Sequence, residues 1–255
     1  MNLVWFKRDL RIHDHAPLTL AAAEGPILPV YIFEPAIWSQ PDMSYRQFAF
    51  LKECLYQLNE ALSVLGCPLI VKVGDAVSIL ESLRQKYNVT SLWSHQETWN
   101  GWTYQRDIAV QHWADKHQIN WHQPRQHGVI RRLKDRNGWA KRWYQHMSQV
   151  CYICPENLTG PSEKNDYLPK ADKLGLVDDG CVQRQLGGRE RGLRLLDTFL
   201  YERGQGYTKE MSSPLTAVDS CSRLSPYLAF GTLSIREVYQ ATEQRITSIK
   251  PVSYT

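Results

Sequence analysis

Hydrophobic positions in the first half of the chain fall into two alternating patterns. Short, nearly continuous apolar runs occur at residues 3–6, 27–33, 69–71, 91–93 and 119–121. Runs this short, without polar alternation, suit parallel strands covered on both faces. Between them Phe48, Leu51, Leu55, Leu58, Leu62 and Leu65 recur at steps of three and four, which predicts an amphipathic helix over 44–65. Ser44 and Gln47 form a capping-box pair at its start, and Gly66 supplies a stop. Asp75 caps a second helix carrying Ile79, Leu80 and Leu83, and a less regular third runs over 101–116. Strands and helices that alternate with right-handed connections predict an α/β fold, a doubly wound, Rossmann-like parallel sheet.

The alternation stops after about residue 123. Arg131, Arg132, Lys134, Arg136, Lys141 and Arg142 crowd the stretch 125–142, with Trp139 and Trp143 interleaved or adjacent. Residues 151–188 read as an extended linker, holding Pro155, Pro161, Pro169 and several glycines but little periodicity. A helix carrying Leu193, Leu196, Phe199 and Leu200 follows, then a polar loop, the segment 220–231 and a last helix from Ser234. Roughly 65 residues after Gly188 make a small core for an independent domain. Residues 249–255 show no stop signal or cap, so the pattern leads us to expect a chain cut short.

Composition narrows the class. The 255 residues are 43% hydrophobic and 22% charged, enough apolar matter for a packed core. No apolar run approaches the ~20 residues of a membrane span. The apolar segment near the N-terminus ends at Lys7, too short for a secretory signal. A soluble, cytoplasmic monomer without membrane association is expected. Six cysteines in a chain this long do not make a disulfide scaffold. A net charge of +4 permits an anionic partner without demanding one, whereas nine tryptophans favour stacking on a flat conjugated ligand.

Several motifs carry candidate chemistry. Lys7-Arg8-Asp9-Leu10-Arg11, with Asp14 beyond, follows the first strand, where doubly wound sheets bind ligands. The same residues can equally form an ion network that fixes the loop. His13-Asp14-His15 offers metal donors, with no distant third ligand in view. Cys151-x-x-Cys154 has metal or redox spacing but lacks a second pair and lies in the linker, which favours two ordinary thiols. No G-x-G-x-x-G follows the first strand, and neither a Walker A loop nor a G-x-S-x-G elbow is present. The basic stretch is either a solvated helix face or a cationic groove with stacking rings for a nucleic-acid strand. In 220–231, hydroxyl side chains surround Arg223 where a helix opens, which suits a phosphate site or a plain N-cap.

These residues carry a resemblance. Phe6-Lys7-Arg8-Asp9-Leu10-Arg11-Ile12-His13-Asp14 is similar to the opening motif of the photolyase/cryptochrome family, and Ser222 to Gly231 resembles its flavin-domain signature. Gly187-Gly188-Arg189, with the helix to Leu200, resembles the entry to that domain. The resemblance implies an antenna-binding α/β domain at 1–128, an interdomain linker at 129–188, and the first helices of an all-α FAD-binding domain at 189–255. It further implies a blue-light-absorbing flavoprotein. The full-length protein would repair pyrimidine dimers in damaged DNA by electron transfer from reduced FAD, as a deoxyribodipyrimidine photolyase, while this chain alone is expected to be inactive. A cryptochrome-like photoreceptor without repair is the alternative. If the chain is complete, a non-catalytic antenna or nucleotide-binding module, or a flavin-free nucleic-acid binder, takes its place.

Carried over residue by residue, Cys221, Ser222, Arg223, Leu224 and Ser225 fall on the FAD-phosphate loop, and Tyr207 matches the tyrosine that precedes it. No catalytic residue and no metal ligand is implied within this chain. Cys221 stands where many members have Thr, leaving a backbone N–H in place of a hydroxyl contact, and Met211 stands where some repair enzymes have a basic residue. A second, antenna chromophore is implied, a folate or other pterin, or a deazaflavin. The Asn-Glu pair that holds folate in one branch is replaced by Trp102-Thr103, which leaves Trp38 as a candidate platform for a pterin.

Overall fold

Each apolar run becomes a strand, and the helices between them cover both faces of one sheet. The computed structural model describes residues 1–249, so the uncapped stretch 250–255 lies outside the described residues. β1 (Asn2–Phe6), β2 (Ile27–Phe33), β3 (Ile70–Val73), β4 (Ser91–Trp93) and β5 (Asn120–His122) pair in the order β3-β2-β1-β4-β5, every pair parallel. The strand order reverses at β1, and this topological switch opens a crevice beyond the strand ends. Alternation along the pleat divides the core in two. Val4, Phe6, Tyr31 and Phe33 face α1 (Ala16–Glu24) and α3 (Tyr45–Val64), whereas Leu3, Trp5, Val30 and Ile32 face α4 (Ala76–Tyr87) and α5 (Gly101–Lys116). The short α2 (Pro35–Trp38) leaves β2 toward the crevice.

Local signals behave as the sequence predicts. Ser44 and Gln47 exchange both bonds of a capping box at α3, and Gly66, at φ +94°, carries the chain away from its end. Asp75 caps α4 through the amide of Ser78 at 2.9 Å. In the basic stretch only α6 (Trp139–Met147) is helical.

The segment read as a linker is a strap rather than a slack tether. Leu158 N–H donates to the Leu65 carbonyl at 2.7 Å, and Thr159 carbonyl accepts from Ile27 at 2.8 Å. Farther along, Asp166 N–H donates to Val71 carbonyl at 2.9 Å, while the Asn165 and Asp166 side chains accept from Val71 and Val73. The exposed backbone of edge strand β3 is therefore occupied, which removes a template for pairing with another chain.

Beyond the strap come α7 (Arg189–Tyr201), α8 (Tyr207–Glu210), α9 (Ala217–Ser220), α10 (Ser225–Ala229) and α11 (Ile235–Ile249). Leu196, Tyr227 and Leu233 join the same apolar cluster as Leu51 and Leu55, and Tyr227 meets Phe50 edge-on at 5.2 Å. The helical segment thus borrows its core from the α/β unit, which answers the shortage of apolar residues after Gly188. Among the described residues no helix is long and apolar enough to cross a membrane.

Candidate cofactor-binding sites

The loop after β1 joins the two parts of the molecule. Leu10 N–H donates to the Phe230 carbonyl at 3.1 Å, Arg8 Nε to Ala229 at 2.8 Å and Arg11 Nη1 to Gly231 at 2.8 Å. Gly231 sits at φ +66°, and a Cβ there would lie 2.5 Å from Asp9 Cα, so glycine is required for this approach. Asp14, itself at φ +48°, binds the guanidinium of Arg236 and the hydroxyl of Ser234. These contacts fix the loop through backbone carbonyls and the Asp14–Arg236 ion pair, while Lys7 and Arg8 also line the cleft beyond the strand ends.

Beneath that loop, Asp9 Oδ2 accepts from His15 Nε2 at 3.0 Å and His95 Nδ1 at 2.7 Å, and Asp9 Oδ1 accepts from the Lys7 amide at 2.7 Å. All three side chains are buried. The geometry brings together three metal-ligand types, but His15 Nδ1 accepts from the Leu18 amide at 3.1 Å. Its proton therefore sits on Nε2 and points at Asp9, leaving no lone pair for an ion there. Burial works against the Asp9 carboxylate, yet the imidazoles outweigh it and hold its pKa well below the usual range. Burial pushes His95 down to about 3, and His15 is lowered for the same reason. The metal donors of His13-Asp14-His15 do not converge: Asp14 faces Arg236, and only His15 joins this cluster.

A cleft opens at the strand switch, between β1, β2 and α10. Its lining includes Trp38, Trp99 and Phe230. The Arg8 guanidinium lies 4.0 Å above the Trp99 ring and 5.3 Å from Phe230. Arg106, from α5, donates to Glu34 at 2.8 Å and to Glu97, and bonds Asp107 at 3.0 Å. One guanidinium shared among three carboxylates does not offset burial at Glu34, whose pKa is pushed up to about 7. Lys7 Nζ is buried without a hydrogen-bond partner among the described residues, 3.5 Å from Asp107 and 4.8 Å from the Trp5 ring. Desolvation lowers its pKa. Aromatic walls with a few convergent polar groups on the floor fit a flat conjugated ligand whose edge exchanges hydrogen bonds with Glu34 and Glu97. One face of Trp38 is already taken by Phe33, stacked at 5.5 Å. Thr103 is spent on the capping box of α5 with Asn100, and Trp102 packs against the core.

A second candidate site is the loop 221–225. Arg203, on the turn before Tyr207, reaches back with its guanidinium to the carbonyls of Leu195 at 2.9 Å, Cys221 at 2.5 Å and Ser222 at 3.4 Å. Gln185 donates to the Arg223 carbonyl at 2.8 Å. The loop's acceptors are thus consumed, while the amides of Ser222, Arg223, Leu224 and Ser225 have no partner among the described residues. A loop with its donors left open is suited to an anion. Within it the roles diverge: Leu224 is a buried apolar anchor, Ser225 is exposed, and Arg223 adopts φ +61°. Tyr207 packs edge-on against Phe199 at 5.8 Å, with its ring partly exposed. Sequence reasoning misses Arg203 and Gln185, since each acts on backbone carbonyls and neither belongs to a motif.

The cysteines are free among the described residues, and burial raises the thiol pKa values of Cys151 and Cys154, as ordinary thiols require. In the basic stretch, Arg131 is committed to Asp107 at 2.7 Å, whereas Arg132, Lys134, Arg136, Lys141 and Arg142 are exposed.

Comparison with known proteins adds a frame. A sequence model of the DNA photolyase family, described as DNA photolyase, matches residues 2–153. The chain is 28% identical over 269 residues to a deoxyribodipyrimidine photo-lyase of Halobacterium salinarum, covering 94% of this chain and 54% of that protein. It is 26% identical over 272 residues to a cryptochrome DASH of Synechocystis sp., with 95% and 54% covered. Among solved structures, a bacterial class III photolyase from Agrobacterium tumefaciens superposes with a TM-score of 0.75 at 25% identity, covering 98% of this chain and 54% of that one. A cryptochrome from Synechocystis sp. reaches a TM-score of 0.80 at 22% identity, over 99% and 56%. An archaeal photolyase from Sulfolobus tokodaii, described with two FAD molecules, reaches 0.65 at 22%, over 95% and 55%. The chain spans about half the length of the curated relatives it matches.

Proposed function

Because the chain belongs to the DNA photolyase family, we propose that it provides the antenna-binding α/β domain (1–128), the linker (129–188) and the first part of the FAD-binding domain (189–255) of a blue-light-absorbing flavoprotein. The observation that carries this reading is the pair of features at the two ends of α10: a loop of open amides where it starts and an aromatic cleft where it ends.

In this reading the amides of 222–225 hold the FAD phosphates, with Cys221 contributing backbone and Tyr207 a ring contact. Leu224 acts as the anchor that keeps the loop in place. The open loop fits a diphosphate because its carbonyls are turned away and held by Arg203 and Gln185. The cleft at the strand switch takes the antenna chromophore, a pterin or a deazaflavin. When bound, reduced flavin supplies the light-driven electron; this chain's residues bind, orient and exclude water. The whole protein's activity is then repair of pyrimidine dimers, with damaged DNA as partner and the exposed cations of 132–142 adding phosphate contacts. A photoreceptor without repair is the second reading, favoured by exposed Met211 where a cation would serve DNA.

The full-length protein purified in dim light is expected to release FAD on denaturation and to reverse dimers in a labelled oligonucleotide under blue light but not in darkness. Absence of any bound flavin would sink the reading. Flavin without dimer reversal would select the photoreceptor.

A further inference from the structure

The aromatic cleft does not end at Phe230. A second, open cavity shares Gln47 and Phe230 with it and is lined on its far side by Arg46, Arg184 and Arg223. Two of these cations are compensated: Arg46 pairs with Asp179 at 2.5 Å, and Arg184 with Glu53 at 2.6 Å. The Arg223 side chain makes no hydrogen bond or ion pair among the described residues, so the mouth carries one uncompensated positive charge. Its backbone is held at φ +61°, a conformation costly for a residue with a Cβ, by the Gln185 bond to its carbonyl. The same residue that lends an amide to the loop on one side thus turns its guanidinium into the cavity on the other.

The geometry points to an anion-binding subsite at this mouth, centred on Arg223, which holds the phosphate or carboxylate tail of the conjugated ligand whose ring lies in the cleft. The inference rests on the cleft binding such a ring. A ring in the cleft must leave its tail along Gln47 and Phe230, and the next cation without a partner on that path is Arg223. A planar guanidinium matches either kind of oxyanion.

The test measures binding of two matched pairs to the purified protein by fluorescence titration. Pteroate against pteroyltriglutamate varies the carboxylates; deazariboflavin against its 5′-phosphate varies the phosphate. The tail is expected to strengthen binding about tenfold in at least one pair, and the responding pair identifies the anion. Arg223→Gly should bring the two members of that pair within about twofold, because glycine occupies φ +61° without strain and the variant keeps its fold. Lys116→Gln, a distant loss of charge, should leave the preference intact. Equal binding with and without the tail would overturn the subsite while leaving the cleft reading standing, as would a tail preference that survives Arg223→Gly. Failure of all four ligands to bind would overturn the cleft reading itself.

Discussion

Asp9 gathers a main-chain amide and two imidazoles on one buried carboxylate, and the chemistry of that arrangement is set by protons. Both histidines are held neutral below their ordinary pKa. In the unfolded chain they take protons near pH 6.5; in the folded chain His95 resists to about 3. Between those values the unfolded state binds more protons, so stability falls as pH falls, by up to about 1.4 kcal/mol per pH unit for His95, and His15, also lowered, acts in the same direction. Asp9, with its pKa lowered, adds stability that is present above the unfolded aspartate pKa and is lost only at lower pH. His95→Gln keeps an N–H donor but removes one titrating group. Urea denaturation between pH 6.5 and 4.5 should therefore show a stability slope shallower by about one proton. An unchanged slope would mean His95 is not held neutral.

At the scale of elements, what was legible in the sequence were the features written locally. Five apolar runs marked five strands to within two residues, and Ser44 with Gln47 announced the start of α3 because both halves of a capping box lie within one turn. The candidate site was legible only as motifs. His95 joins Asp9 from the far end of β4, and Arg203 and Gln185 reach loop 221–225 from separate turns, so none of these pairings leaves a spacing to read. Trp38 looked free to stack because its apolar neighbours belong to other elements; Phe33 occupies one of its faces. The glycine at 231 shows the same difference between local and assembled information. In the sequence it is only the last residue of the segment 220–231, yet it is where the turn after α10 touches the backbone of Arg8 and Asp9. Gly231→Ala is expected to cost at least about 2–4 kcal/mol, from the positive φ and the backbone collision together. Thermal melts should show a clear drop in Tm; a melt like the parent's would mean the two loops are not in contact.

The molecule as a whole is held by a polar seam beside the shared apolar core of Leu51, Leu55, Leu196, Tyr227 and Leu233. Arg8, Leu10, Arg11 and Asp14 on one side meet residues 229–236 on the other, while the covalent route between the halves runs through residues 170–183, mostly exposed apart from the buried Leu174 and Leu176. Trypsin should therefore cut first at Lys170 and Lys173, and the two pieces should still elute together from a sizing column. Asp14→Asn retains a residue tolerant of φ +48° but leaves Arg236 buried without its anion, a loss of about 3–5 kcal/mol. In that variant the C-terminal piece should separate or be digested. Co-elution of intact pieces would show that apolar packing around Tyr227 alone suffices.

The strap over β3 ties folding to the tempo of synthesis. A ribosome releases β3, ending at Val73, long before it reaches Asn165 and Asp166, which cover that edge. At ~5–20 residues per second the strand waits several seconds with an open edge. Through that interval a neighbouring nascent chain on the same messenger presents the same bare strand, parallel pairing being as open to it as to β2. Codon choice between those two points thus governs how long the half-made protein is vulnerable, and slow translation there lowers the soluble yield without altering any residue of the finished fold.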